Sequence, residues 1–142
     1  MSAFYRQVPL LGVLAVAYLI LAAVWESVIG DGTQAAKILF TIALPSGSAW
    51  KFDVRDLFEV VGLGLLYIEI LKSTRSGRGQ IIEHIVSMLV FVGCLLLFLL
   101  VRKTGTSTFL LITLMSAIDV IAGFTVSIVA ARRDLEIEKV SN

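Results

Sequence analysis

Apolar residues run for about 20 positions at a time, four times over, at roughly 8–28, 54–72, 82–101 and 108–131, and this limits what the chain can fold into. Each residue of an α-helix advances about 1.5 Å, so about 20 of them cross the hydrocarbon core of a bilayer. Lipid offers no partner to a bare peptide group, and no alternating pattern of barrel strands is present, so these runs are expected to be helices. The expected fold is all-α: an integral membrane four-helix bundle with short loops, one membrane domain over residues 1–142. Hydrophobic residues make up 58% and charged residues 16%, against roughly 45–50% and 25% in soluble domains. A soluble fold could not hide that much hydrocarbon.

The first run follows a charged start, "MSAFYRQV", and so resembles a signal peptide, but Val8 to Trp25 is longer than the usual apolar core of one. It is read as a retained helix. Between the first two runs lies a linker over 30–53, punctuated by Gly30, Gly32, Pro45 and Gly47. Its apolar middle, 35–44, is about half the length needed to cross and is expected to lie along the interface or against the bundle. Trp25 and Trp50 fall at span ends on one side, as an aromatic belt places them. Arg6, Lys72, Arg75, Arg78, Arg132, Arg133 and Lys139 gather on one face, against Lys37, Lys51, Arg55, Arg102 and Lys103 on the other. The basic excess assigns both termini to the cytoplasm. The tail "LEIEKVSN" is read as a solvated, frayed end, with extension of the last helix as the alternative.

Several function classes fall away. A net charge of +1 supplies no field for nucleic acid. One cysteine, Cys94, forms no internal disulfide, and one histidine, His84, builds neither a bis-histidine haem site nor a histidine metal centre. Neither "GxxxxGK[ST]" nor "HExxH" occurs, and "SGRG" lacks the strand-to-helix setting of a nucleotide loop. No cofactor and no catalysis are expected.

The acids within the spans carry what specificity remains. Glu59, Gly62, Leu66 and Glu69 follow one side of the second helix, with Asp56 and Arg55 a turn ahead of Glu59. Glu59 is expected to be neutralised by Arg55 or Lys51, and Glu69 by Lys72 or Arg75, since long basic side chains snorkel to such depths. Glu26 is placed at the interface. Asp119 lies mid-span, roughly 20 Å along the axis from Arg132, where an ionised carboxylate costs about 2.5–3.5 kcal/mol. It must be protonated, hydrogen-bonded, wetted or paired. Ser116, Asp119, Gly123 and Ser127 step by three or four and form one small or polar stripe, suited to close helix contact. Three roles stay open for Asp119: helix packing, a proton or ion path, and contact with another subunit or ligand. His84, beside Glu83, is read as solvated or hydrogen-bonded.

"DLFEVVGLGLLYIEILKSTRSGRGQIIEHIVSMLVFVGCLLLFLLV", with a last span ending "AARR", resembles the phosphate-starvation-inducible PsiE family of small bacterial membrane proteins. The resemblance implies four spans, an acid near the end of the second span at Glu69, a bacterial inner-membrane location and a link to stress or phosphate limitation. The family's arginine within span three has no counterpart, because the matching stretch reads "VGCLLLFLLV" and Arg102 follows it. The leading expectation is a non-enzymatic membrane protein, an accessory or scaffolding subunit or a stress-response protein. Its partners would be the bilayer and either copies of itself or a larger membrane complex. The alternative is a small oligomeric proton-linked transporter or channel using Asp119.

Overall fold

The computed structural model describes residues 9–24, 36–73 and 80–140. Among them are four helices: α1 (Leu10–Val24), α2 (Val54–Ser73), α3 (Gln80–Leu100) and α4 (Ser107–Val140). A two-stranded antiparallel hairpin, β1 (Ile38–Ala43) and β2 (Ala49–Asp53), precedes α2. The chain is therefore mostly helical but not all-α. The segment expected to lie as an apolar strip at 35–44 is a strand. Its residues explain why: "ILFTIA" is rich in β-branched and aromatic side chains, and "LPSG" supplies a three-residue turn. Gly47 N–H donates to Leu44 O at 2.9 Å, and Gly47 takes φ +84°, a left-handed conformation that side chains resist.

The starts of α1, α2 and α4 are each satisfied by a nearby oxygen. Asp53 caps α2, its Oδ1 accepting from Arg55 N at 2.7 Å and Asp56 N at 3.1 Å. Asp56 reaches back to Asp53 N at 2.9 Å, closing a reciprocal box. Thr106 caps α4 through Phe109 N at 3.2 Å. The start of α1 is capped from outside its own sequence: Leu10 N donates to Glu69 Oε1 at 2.6 Å. A 3-10 turn at Arg102–Thr104 links α3 to α4, and Thr104 Oγ1 donates to the last carbonyls of α3, Leu97 O at 2.6 Å and Val101 O at 2.8 Å.

Two contacts fix the helix directions. The start of α1 meets Glu69 near the end of α2, while Tyr18, further along α1, meets Thr106 at the start of α4. So α1 and α3 run one way, α2 and α4 the other, in an up-down bundle whose helix α4 packs against the other three. The core joins Leu11, Leu14 and Tyr18 of α1 to Leu66 of α2 and Phe109, Ile112 and Met115 of α4. One end of the bundle carries the hairpin; the other carries Lys72 and the start of α3 and is called here the basic end.

Two of the described helices, over Ile82–Leu100 and Ser107–Val129, are long and apolar enough to cross a membrane. The sequence predicts four. The described part of α1 is 15 residues. Helix α2 has the length but carries Arg55, Asp56, Glu59, Glu69 and Lys72, which lower its hydropathy. The backbone of α4 continues as helix through Val140, so the expected frayed tail is helical almost to the end of the chain. Arg6, Trp25, Glu26, Gly30, Gly32, Arg75 and Arg78 lie outside the described residues.

Candidate functional site

The polar residues of the interior divide into two groups, one at each end of the bundle. At the hairpin end, the starts of α2 and α4 converge around an open cavity of about 340 Å³, lined by Asp53, Arg55, Asp56, Glu59, Gly105, Thr106, Ser107 and Thr108. Two helix N-termini present partial positive charge there, which suits the acids that face them. Glu59 accepts from Thr108 Oγ1 at 3.0 Å. Arg55 reaches Asp53 at 3.6 Å, so the expected Arg55–Glu59 pairing is replaced by a hydroxyl donor from α4. Beneath this cavity, Tyr18 Oη and Thr106 Oγ1 lie 2.6 Å apart, with Tyr18 wholly buried between the rings of Phe58 and Phe109.

At the basic end, Glu69 and Asp119 are 5% and 8% exposed, and their carboxyl groups lie within hydrogen-bonding reach of each other. Glu69 also faces the Leu11 amide beside that of Leu10, so one carboxyl group serves the first turn of α1. Asp119 is further held by the Ser87 hydroxyl from α3. The two acids border a small cavity of about 20 Å³, shared with Lys72, Ser73, Glu83, His84, Ser87 and Gly123. Helices α2, α3 and α4 each supply residues to its lining, and the α1 amides bond Glu69. Glu69 was expected to pair with Lys72 or Arg75; it is bonded to the α1 amides, with Lys72 on the wall of the same cavity.

The stripe on α4 is divided among several contacts. Ser116 is 2% exposed, donates to Ile112 O at 3.0 Å and lies against the Cys94 thiol of α3. Asp119 meets α2 and α3. Ser127 Oγ stands 2.9 Å from His84 Nε2 and donates to Gly123 O at 3.0 Å. Gly123 permits the close approach of His84: a Cβ there would sit 2.5 Å from the imidazole. The ring also stacks on Phe124. His84 is thus half-buried and hydrogen-bonded to α4.

Sequence reasoning missed the joining of Glu69 to Asp119 and the hydroxyl ladder at the other end. The spacing within a helix shows which residues share a face, but gives no means of pairing Glu69 with an acid 50 positions later. A usable signal was present in Thr104, Thr106 and Thr108, since hydroxyl residues just before an apolar helix mark a cap.

Among the described residues, no group of three His, Cys, Asp or Glu side chains is arranged to hold a metal ion. Comparison of the chain with family models, with curated proteins and with solved structures finds no match.

Proposed function

We propose that the chain is a non-enzymatic integral protein of the bacterial inner membrane that serves as an accessory or scaffolding subunit of a larger membrane complex, or as a stress-response membrane protein. The observation that supports this reading is the inverted placement of polar and apolar groups. Helix α3 exposes Ile82, Ile85, Met88, Leu89, Val92, Leu96 and Leu99, while Glu69, Thr113, Ser116 and Asp119 are buried. Water rewards the opposite arrangement; lipid tolerates this one, because interhelical hydrogen bonds and small-residue contact hold a bundle together there. The exposed faces of α3 and of the hairpin offer contact to lipid, to a second copy or to another subunit. The resemblance to the PsiE family supports the same location, and the excess of Lys and Arg on one face supports termini on the cytoplasmic side. Membrane fractionation followed by purification in mild detergent and mass determination tests the reading. The expected result is a chain that leaves the membrane only with detergent and travels with copies of itself or with a larger partner; recovery as a dissolved monomer without detergent overturns it.

A second reading, a small oligomeric proton-linked transporter, draws support from the Glu69–Asp119 pair beside its cavity. Leu14, Leu66, Ile112 and Met115 fill the interior between the two polar ends, so passage from one end to the other requires the helices to rearrange. In liposomes, proton flux that disappears in Asp119→Asn supports transport; absence of flux with the unaltered chain discards it.

A further inference from the structure

The fold leaves Glu69 Oε2 without a hydrogen-bond donor, in a side chain that is 95% buried. Its twin oxygen is tied to Leu10 N at 2.6 Å, so the carboxyl group cannot swing away to find water without uncapping α1. The carboxyl of Asp119 lies within reach, but two carboxylates offer only acceptors to one another. Among the described residues, the charged and titratable groups that face the pair are Lys72 from α2 and Glu83 and His84 from α3; the described part of α1 contributes backbone amides to Glu69. The two buried carboxyl groups share the lining, among the described residues, with one ammonium, that of Lys72. The cavity of about 20 Å³ admits one sphere of water size and little more.

We propose that this cavity is a binding site for one exchangeable positive charge of water size, held between Glu69 and Asp119 with the Ser87 hydroxyl as a third oxygen, and supplied either as a sodium ion or as a proton. Carboxylate and hydroxyl oxygens suit a hard cation, and about 20 Å³ limits it to a single ion. The site ties α1, α2, α3 and α4 together at one point, so its occupancy is read as bundle stability. This deepens the transport reading given above and rests on it only for the idea that the charge exchanges; it does not require that the charge crosses.

The test uses the full chain in mild detergent, with thermal unfolding followed in sodium chloride and in choline chloride at equal ionic strength, at acid and at alkaline pH. If sodium is the source, the midpoint rises with sodium and not with choline. Asp119→Asn and Glu69→Gln then weaken the half-saturating sodium concentration by about tenfold to a hundredfold, the usual worth of a charged hydrogen-bonding partner. If a proton is the source, sodium and choline give the same midpoint, and the wild-type midpoint falls as pH rises, by less in Asp119→Asn and in Glu69→Gln. The sign follows because a proton held in the folded state is lost on the alkaline side, taking its stabilisation with it. Glu69→Gln retains an amide oxygen for Leu10 N, and Asp119→Asn retains the shape of the side chain, so both are expected to fold. Should either variant fail to fold, the wild-type comparison of the two salts across pH decides alone. A wild-type midpoint indifferent to both salt and pH overturns the proposal. Recovery of the chain without detergent would end the membrane reading while leaving this titration fully interpretable.

Discussion

The two ends of the bundle hold the same kind of side chain under opposite conditions. At the hairpin end, Asp53, Asp56 and Glu59 stand beside helix N-termini and a threonine hydroxyl, around a cavity of about 340 Å³. Their carboxylates find donors in backbone amides and in a hydroxyl. At the basic end, Glu69 and Asp119 face each other across about 20 Å³, and one carboxylate oxygen has no donor. Burial of a carboxylate is therefore costly or cheap according to what points at it. Among the described residues, the start of α1 serves Glu69 with its first amides, while Asp119 is held by side chains.

The contact that closes the basic end should show the largest effect. Gly123→Val drives a branched side chain into the His84 ring, where even a Cβ would come within 2.5 Å. We expect a loss of about 3 kcal/mol in detergent unfolding, the upper range for overpacking, together with loss of the His84–Ser127 bond. The double variant Gly123→Ala with His84→Ala should recover most of what Gly123→Ala alone loses, since the clash requires the imidazole. If Gly123→Ala is instead neutral or stabilising, His84 is not seated on α4.

Next in size is Tyr18→Phe, at the inner edge of the hairpin end. It removes a hydroxyl held 2.6 Å from Thr106 Oγ1 in a fully buried place, and leaves Thr106 still capping Phe109 N. The expected cost is about 1 to 1.5 kcal/mol. The comparison sharpens with amide replacements. Asp119→Asn gives Glu69 Oε2 a donor and should raise stability by about 1 kcal/mol in sodium-free buffer. Asp53→Asn should change it by only a few tenths of a kcal/mol, because asparagine caps a helix as well as aspartate does. Equal responses at the two positions would dissolve the distinction between the ends.

How far the sequence foretells this architecture depends on the range of the forces involved. The helices at 54–72, 82–101 and 108–131 are legible because an apolar run and its flanking caps are local properties, and the described bounds differ from them by one or two residues except where α4 runs on to Val140. That extension is invisible to hydropathy: "ARRDLEIEKV" is polar, yet contains no proline or glycine to stop a helix. The hairpin is missed for a related reason. "ILFTIALPSGSAWKFD" is apolar enough to be weighed as membrane contact, and its turn residues were read as punctuation rather than as the bend joining two strands. The stripe Ser116, Asp119, Gly123 and Ser127 is a property of one helix and is legible. The partners of that stripe, His84, Ser87, Cys94 and Glu69, come from other helices, and their choice depends on bundle register, which no single helix encodes.

The smallest effect on global unfolding belongs to the hairpin turn and tests whether the hairpin is held by the bundle or by itself. Gly47 takes φ +84° with open space around its α-carbon, so Gly47→Ala meets no neighbour and costs only the left-handed conformation, about 1 kcal/mol. The strands pair with each other, stack Phe40 on Phe52 with ring centres 4.6 Å apart, and join the bundle mainly where Asp53 passes into α2. A cost confined to such a unit appears as local opening rather than as global unfolding. Hydrogen exchange at the β1 and β2 amides is therefore expected to quicken by about fivefold, the equivalent of 1 kcal/mol, while the amides of α4 and the unfolding midpoint stay within error. A midpoint that drops by the full amount would mean that the hairpin and the Asp53 cap fold as one unit with the helices. The acids of the hairpin end would then owe their donors to the strand pairing and not only to the helix starts beside them.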